Sequence, residues 1–192
     1  MKKMLLILAL ATFSFANAQK GTILVGGNIG YSSQTADNDL VKRKSDLFSF
    51  SPKIGYQFND NWTIGGEFAV SSSKETNGES VGKYKEFKYG AFVRYSVPLS
   101  QTFSVFADLG AGFQNQQTKT YDGAITKKYK ADGIYVGITP ALFINMKKGF
   151  GLNFSIGGLG YETFDYEING TDVRKFYFNF GKTVNIGISK NF

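Results

Sequence analysis

The sequence predicts an all-β fold, an eight-stranded antiparallel up-and-down transmembrane β-barrel. Eight stretches place an apolar side chain at every second position, which is the period of a strand with two unlike faces. Short and long polar connectors alternate between these stretches, as they do in barrels that cross a membrane. The charged residues of the stretches fall on the opposite parity, which indicates an enclosed polar interior.

The first element is a targeting segment over residues 1–18. Two lysines follow the initial methionine, an apolar run extends from Met4 to Phe15, and Ala-Asn-Ala ends the segment as a small-residue cleavage site. The run is shorter than the ~20 apolar residues of a transmembrane helix, so we expect it to be removed. Residues 19–192 are then predicted to form one barrel domain.

The eight strands follow in order, each with about ten residues or more. That length crosses a bilayer when the strand is tilted by about 45°. Because apolar residues occupy only one parity, each strand is expected to turn one face to lipid and the other to the interior. The apolar stretches run from Ile23 to Tyr31, Phe48 to Phe58, Trp62 to Val70, Phe87 to Val97, Phe103 to Phe113, Ile134 to Ile144, Phe150 to Ile156 and Phe176 to Phe192.

The connectors fall into two classes. Residues 59–61, 100–102 and 145–149 are predicted to be tight turns. In bacterial outer-membrane barrels the short turns face the periplasm and the long loops face outside. With an even number of strands, both chain ends then lie in the periplasm. The predicted extracellular loops are residues 33–44, 71–83, 114–130 and 161–173.

Hairpin register can be tested because opposite residues must share a face. Two-residue tips at Asn77-Gly78 and Asp122-Gly123 keep the apolar faces of their strands matched. A two-residue tip at Asn169-Gly170 would not, so the last hairpin requires a bulge or a wider loop.

Charged residues on the polar parity are predicted to pair inside the barrel. Extrapolation from the short turns places Lys53 opposite Glu67 and Arg94 opposite Asp108. With a tip at Asn77-Gly78, Glu67 also faces Lys88 and the charges form a network. A lipid-facing Lys or Arg near the bilayer midplane would cost roughly 2–4 kcal/mol, which favours an interior position. The predicted interior set is Lys53, Glu67, Glu86, Lys88, Arg94 and Asp108.

Aromatic residues cluster at both ends of the apolar stretches. Two girdles of this kind are typical of two membrane interfaces, whereas the core of a soluble barrel, the alternative interpretation, does not require them. The girdle beside the short turns consists of Phe58, Trp62, Phe103 and Phe150, and the girdle near the long loops consists of Phe48, Phe87, Phe113 and Phe176.

Three residues require local adjustments of the barrel. Pro52 and Pro140 each remove a ladder donor where a closed barrel has no free edge, so we expect local bulges. Lys182 lies on the lipid parity, and we expect it to reach the outer headgroups.

These residues resemble the small eight-stranded outer-membrane barrels of the OmpA/OmpX-like family. The alternating final strand, with Ile186, Ile188 and the terminal Phe192, is similar to the signal that the family presents to the barrel-assembly machinery. The resemblance does not include a peptidoglycan-binding domain after the barrel. It implies residence in the bacterial outer membrane, with the bilayer and the assembly machinery as partners.

Composition argues against several functions. The chain has no cysteine and no histidine, which removes disulfides and the usual soft metal ligands. Outer-membrane barrel enzymes resemble one another in using a histidine base, and Glu67, Glu86 and Asp108 each have an expected cationic partner. We therefore predict no enzyme, no cofactor and no metal site. The charge of +7 is not arranged as a basic run with stacking aromatics, so nucleic acid is not an expected partner.

Two functions remain open. The leading prediction is a non-catalytic surface barrel with a structural role or with loops that contact an external ligand. The alternative is a narrow, porin-like pore, although side chains fill the interior of eight-stranded barrels. The opposite charges of the third and fourth loops have two equally good explanations. The loops attract each other, or they bind an external ligand. The third loop carries Lys119, Lys127, Lys128 and Lys130, and the fourth carries Glu162, Asp165, Glu167 and Asp172.

Overall fold

The computed structural model describes residues 21–37, 42–78, 80–122, 125–167 and 170–192. The described residues form eight strands that pair in chain order as a closed antiparallel barrel, so the predicted fold class is confirmed. The predicted targeting segment lies outside these residues. No helix in the described part of the chain has the length and apolarity needed to span a membrane. The strands are β1 (Thr22–Asp37), β2 (Lys42–Gln57), β3 (Trp62–Asn77), β4 (Ser80–Pro98), β5 (Phe103–Asp122), β6 (Ile125–Lys147), β7 (Phe150–Tyr166) and β8 (Thr171–Asn191).

The two faces of the barrel wall differ in chemistry as the alternation predicts. Apolar side chains such as Ile54 and Leu109 point outward and are exposed. The interior holds Leu24, Phe92 and Phe106, all buried, together with charged residues. An apolar exterior around a polar and aromatic interior is the reverse of a soluble barrel.

The ranges predicted to be long loops are largely strand. β5 and β6, for example, pair without a register shift from Phe103 opposite Ile144 to Asp122 opposite Ile125. The prediction of loops over 33–44, 71–83, 114–130 and 161–173 is therefore wrong in its local structure. These ranges are polar on both faces, so no alternation marks them, yet pairing still satisfies their backbone groups. We call this end of the barrel the upper end and the end with the short turns the lower end.

Two hairpin tips lie one residue further along the chain than predicted. Asn77 pairs with Ser80 and Asp122 pairs with Ile125, whereas the predicted tips require Asn77 and Asp122 to lie within the turns. Moving the centre of a hairpin by one residue shifts the pairing of its two strands by two residues. Each side chain then stays on its predicted face of the wall but lies opposite a different residue. Lys88 consequently lies opposite Ala69 instead of Glu67.

The last hairpin has both a wider loop and a bulge, in agreement with the prediction for it. Tyr166 pairs with Thr171 across a four-residue connection, and the register shifts between Ser155 and Gly157. Gly157 has a positive φ of 111°. The extra residue reverses the parity of β7 above this point, so Glu162 faces the interior.

The two prolines are accommodated differently. The pairing of β6 with β7 shifts register between Ile138 and Ala141, which places the expected irregularity at Pro140. The expected bulge at Pro52 is wrong, because the pairs on either side of it keep one register with β3. The ladder is only interrupted there, since a proline cannot donate to it. The side chain of Lys182 lies outside the described residues.

Replacing Gly157 by alanine should destabilise the barrel by more than the same change at Gly181. Both glycines have positive φ, which costs an L residue about 1–2 kcal/mol. A Cβ at Gly157 would also lie 1.6 Å from the carbonyl oxygen of Asn179, whereas a Cβ at Gly181 has no heavy atom within 4 Å. Urea unfolding of both variants in vesicles measures the difference. Equal losses would contradict the proposed role of the bulge.

Candidate functional site

The lumen contains a buried ion pair between adjacent strands. Arg94 of β4 lies opposite Asp108 of β5. Its Nε donates to Asp108 Oδ1 at 2.7 Å and its Nη2 donates to Asp108 Oδ2 at 3.0 Å. Both residues are buried, and the two parallel hydrogen bonds fix the guanidinium plane.

Lys53 extends this pair into a network across the lumen. Its Nζ lies 2.9 Å from Asp108 Oδ2 and 2.8 Å from Glu67 Oε2. Tyr135 of β6 donates its hydroxyl to Glu67 Oε1 at 2.8 Å. The predicted pair of Glu67 and Lys88 does not form, because these residues are not opposite each other in the register. Lys53 instead connects Glu67 to the Arg94–Asp108 pair. The network is balanced, with two bases and two acids, as a low-dielectric interior requires.

Aromatic rings and the network together block the lumen. The Arg94 guanidinium carbon lies 3.7 Å from the centroid of the Phe106 ring. Lys53 Nζ lies 5.0 Å from the centroid of Phe92, which is 1 % exposed. A cavity of about 60 Å³ borders the network, and a separate space of about 190 Å³ opens at the lower end. The two spaces adjoin and share the lining residues Leu24, Arg94, Phe106 and Ser189.

A second charged cluster lies inside the upper part of the barrel. Lys88 Nζ is 2.6 Å from Glu162 Oε1 and 3.0 Å from Glu86 Oε1. Lys175 contacts Glu162 at 3.8 Å. Tyr84 donates its hydroxyl to Glu86 Oε2. Burial and this carboxylate raise the pKa of Tyr84 above its ordinary value, so the phenol stays protonated and keeps donating.

Glu162 is the main site residue that the sequence interpretation misplaced. The sequence predicts it in an acidic outer loop, but in the structure it lies inside the barrel and is 8 % exposed. The bulge at Gly157 reverses its parity, and the Gly157-Gly158 pair is the sequence signal for that bulge.

The charges of the two upper hairpins do not neutralise each other. Within the described residues, no salt bridge joins the lysines of the third predicted loop to the acids of the fourth. The predicted attraction between these loops is therefore not made as direct ion pairs. The two hairpins nevertheless adjoin, since Glu167 donates its backbone amide to the carbonyl oxygen of Lys130 at 3.2 Å.

The predicted girdle and assembly residues lie at the lower end. Phe58, Trp62, Phe103 and Phe150 all point outward and are exposed. Ile186 and Ile188 face outward on the final strand. Phe192 and Ile23 exchange reciprocal backbone hydrogen bonds of 2.9 Å, which closes β8 against β1.

The described carboxylates offer neither a metal site nor an unpaired interior acid. No group of three or more Asp or Glu among the described residues is arranged to hold a metal ion. Each of the interior acids Glu67, Glu86, Asp108 and Glu162 lies within salt-bridge distance of a cation.

Comparison with known proteins identifies relatives by family and by fold. A family model described as outer membrane protein beta-barrel domain matches residues 4–192. No curated protein matches the sequence. The fold is similar to the crystal structure of Ail, the attachment invasion locus protein of Yersinia pestis, at 18% identity and a TM-score of 0.55, over 91% of this chain and 100% of that one.

Two further solved structures are similar. Ail in complex with the heparin analogue sucrose octasulfate matches at 17% identity and a TM-score of 0.50, over 91% of this chain and 100% of that chain. OprG from Pseudomonas aeruginosa matches at 12% identity and a TM-score of 0.49, over 91% of this chain and 97% of that chain.

Proposed function

The chain belongs to the family of outer membrane protein beta-barrel domains, and from this membership we propose that it is a non-conducting surface barrel whose upper hairpins contact ligands outside the cell. It is an integral outer-membrane protein with the lipid bilayer as its surroundings. The upper end faces outside and both termini face the periplasm, since extended hairpins are extracellular in such barrels.

The blocked lumen is the observation that favours a surface role over a pore. Phe92 and Phe106 fill the interior beside a network of four charged side chains that pair with one another. A permeating ion would have to break buried salt bridges and displace packed rings, each of which is costly.

The upper hairpins supply the surface for ligand contact. They extend as paired strands, so their side chains are held on a rigid backbone. Ail, which shares the fold, is described as an attachment protein and has been solved with a heparin analogue. By analogy with that protein, we propose contact with glycans or other molecules at the cell surface.

The barrel carries out no catalysis in this proposal. The chain has no histidine, and every interior acid described above is held by a cation. These ion pairs give the carboxylates a structural role, which is to balance the charge of the interior.

The first and last segments of the sequence carry the proposed signals for export and for assembly into the membrane. We propose that residues 1–18 are removed on export and that residues 19–192 form the barrel domain. Ile186, Ile188 and Phe192 would then be the signal that the barrel-assembly machinery recognises. The outward position of the two isoleucines and the pairing of Phe192 with β1 support this assignment.

Planar-bilayer recording tests the non-conducting state. The purified protein is expected to give no steady single-channel steps, because the Arg94–Asp108 pair and Phe106 close the lumen. The paired variant Arg94→Ala with Asp108→Ala removes both charges and serves as the comparison. Ion-selective steps from the parent protein would favour the pore instead.

Shortening the β5–β6 hairpin tests ligand contact. Residues 117–130 are replaced by Asn-Gly, which keeps Gln116 opposite Ala131. The variant should fold, with the heat-modifiable mobility of the parent, and should lose binding to an array of sulfated, acidic and neutral glycans. No binding by the parent, or equal binding by the two proteins, would contradict the proposal.

A further inference from the structure

Four lysines lie side by side on the outer wall near the upper end. Lys74 of β3 is opposite Lys83 of β4, Lys83 is opposite Lys119 of β5, and Lys119 is opposite Lys128 of β6. Neighbouring strands are about 4.8 Å apart, so the row is about 14 Å wide. In the next outward row below, Gln117 lies between Lys85 and Lys130. We call these residues the lysine ladder: Lys74, Lys83, Lys85, Lys119, Lys128 and Lys130.

The ladder concentrates like charges without acidic partners in its centre. Directly opposed like charges destabilise a sheet. In the part of the chain that the structure describes, no ladder lysine forms a salt bridge. Asp46 lies opposite Lys74 at one end, and it already pairs with Lys44 at 3.0 Å. An external anion would therefore relieve a repulsion that the fold leaves in place.

The height of the ladder places it at the lipid headgroups. Lys85 comes two residues above the exposed ring of Phe87, and Lys130 comes four residues above Ile134. A tilted strand climbs about 2.5 Å per residue, so the ladder lies about 5–15 Å above the end of the apolar band. The headgroup layer extends about 5–8 Å beyond the hydrocarbon, so Lys85 lies within it, and the long stems of the higher lysines allow their ammonium groups to reach down to it.

We propose that the lysine ladder binds the phosphate groups of an outer-leaflet lipid whose headgroup carries more than one phosphate. The inference rests on the proposed orientation, which puts the upper end in the outer leaflet. Lysine ammonium groups bind phosphate as point charges, and their long stems cover the apolar wall below. A row about 14 Å wide can engage phosphates at both ends of a sugar headgroup.

An acidic patch borders the ladder along β6, because Asp132 lies two residues below Lys130 on the same outward face. Asp132, Asp165 and Asp172 lie opposite one another on β6, β7 and β8. Asp132 and Asp165 are exposed and repel an anionic headgroup. An anionic headgroup is therefore expected over β3, β4 and β5 and not over β7 and β8.

Lipid binding is measured in nanodiscs of phosphatidylcholine with and without diphosphoryl lipid A. The test variant is Lys83→Gln with Lys119→Gln, and the matched control is Lys147→Gln with Lys148→Gln at the lower turn. Each ladder lysine is worth about fivefold in affinity, so the test variant should bind lipid A about 25-fold more weakly. The control should lose less affinity than the test variant, because Lys147 and Lys148 are two isolated lysines outside the row, and added salt should weaken binding.

A second readout separates binding from folding. In phosphatidylcholine alone the test variant should be at least as heat-stable as the parent, since like-charge repulsion is relieved. With lipid A the parent should gain more heat stability than the variant. Lipid A is present in both leaflets of the disc, so the ladder meets it whichever way the barrel is inserted. A negative result would therefore contradict the ladder proposal without bearing on the proposed orientation or on glycan contact.

Two results would overturn the inference. Equal binding of lipid A by the parent and the test variant would show that the ladder does not bind the headgroup. Ladder-dependent binding of soluble heparin without binding of lipid A would assign the ladder to a soluble polyanion.

Discussion

Asp108→Ala is expected to destabilise the barrel by about 3–5 kcal/mol. The substitution leaves Arg94 buried without its bidentate partner, and it also removes the carboxylate oxygen 2.9 Å from Lys53 Nζ. Two cations would then face each other across the lumen with Glu67 as their remaining acid. Urea unfolding in phospholipid vesicles, followed by tryptophan fluorescence, measures the loss.

Asp165→Ala is the matched control for this change. Asp165 is exposed on the outer wall between Asp132 and Asp172, so its removal should change the free energy of unfolding by no more than about 0.5 kcal/mol. Equal unfolding curves for Asp108→Ala and the parent would refute the network. The double variant Arg94→Asp with Asp108→Arg, which exchanges the two charges, should remain much less stable than the parent. Its arginine at position 108 would lie beside Lys53, and the two cations would repel each other.

Ile138→Arg is expected to cost about 2–4 kcal/mol and to lower the folded yield. Ile138 points outward in the middle of the apolar part of β6, opposite Leu109. An arginine there would have to reach a headgroup or thin the bilayer around it. The free energy is obtained from urea unfolding in the same vesicles.

Ile125→Arg makes the same chemical change above the membrane. Ile125 begins β6 at the hairpin tip and is 60% exposed. The control should alter the free energy of unfolding by less than about 0.5 kcal/mol. A loss at Ile138 no larger than the loss at Ile125 would show that β6 does not face lipid at that height.

The membrane-spanning part of the fold could be predicted because lipid imposes a strict alternation. Each strand there must present apolar residues outward, and the short turns then determine the register. Above the membrane both faces are polar, so alternation gives no information. The upper strands, and the register that pairs Asn77 with Ser80 and Asp122 with Ile125, could not be predicted for this reason.

The interior network was predictable only between neighbouring strands. The pairs Lys53–Glu67 and Arg94–Asp108 follow from turn positions alone. Contact between Lys53 and Asp108 crosses the lumen, so it depends on the curvature of the closed barrel. Glu162 required knowledge of the bulge at Gly157, because one extra residue reverses the faces of everything beyond it.

Quenching by brominated lipids tests most directly which face of the wall meets the bilayer. In a Trp62→Phe background, one tryptophan replaces Leu109, which is 49% exposed, and in a second protein one replaces the buried Phe106. Bromine on the acyl chains should quench the tryptophan at position 109 strongly and leave that at position 106 bright. Quenching at 106 with none at 109 would contradict the assignment of the two faces.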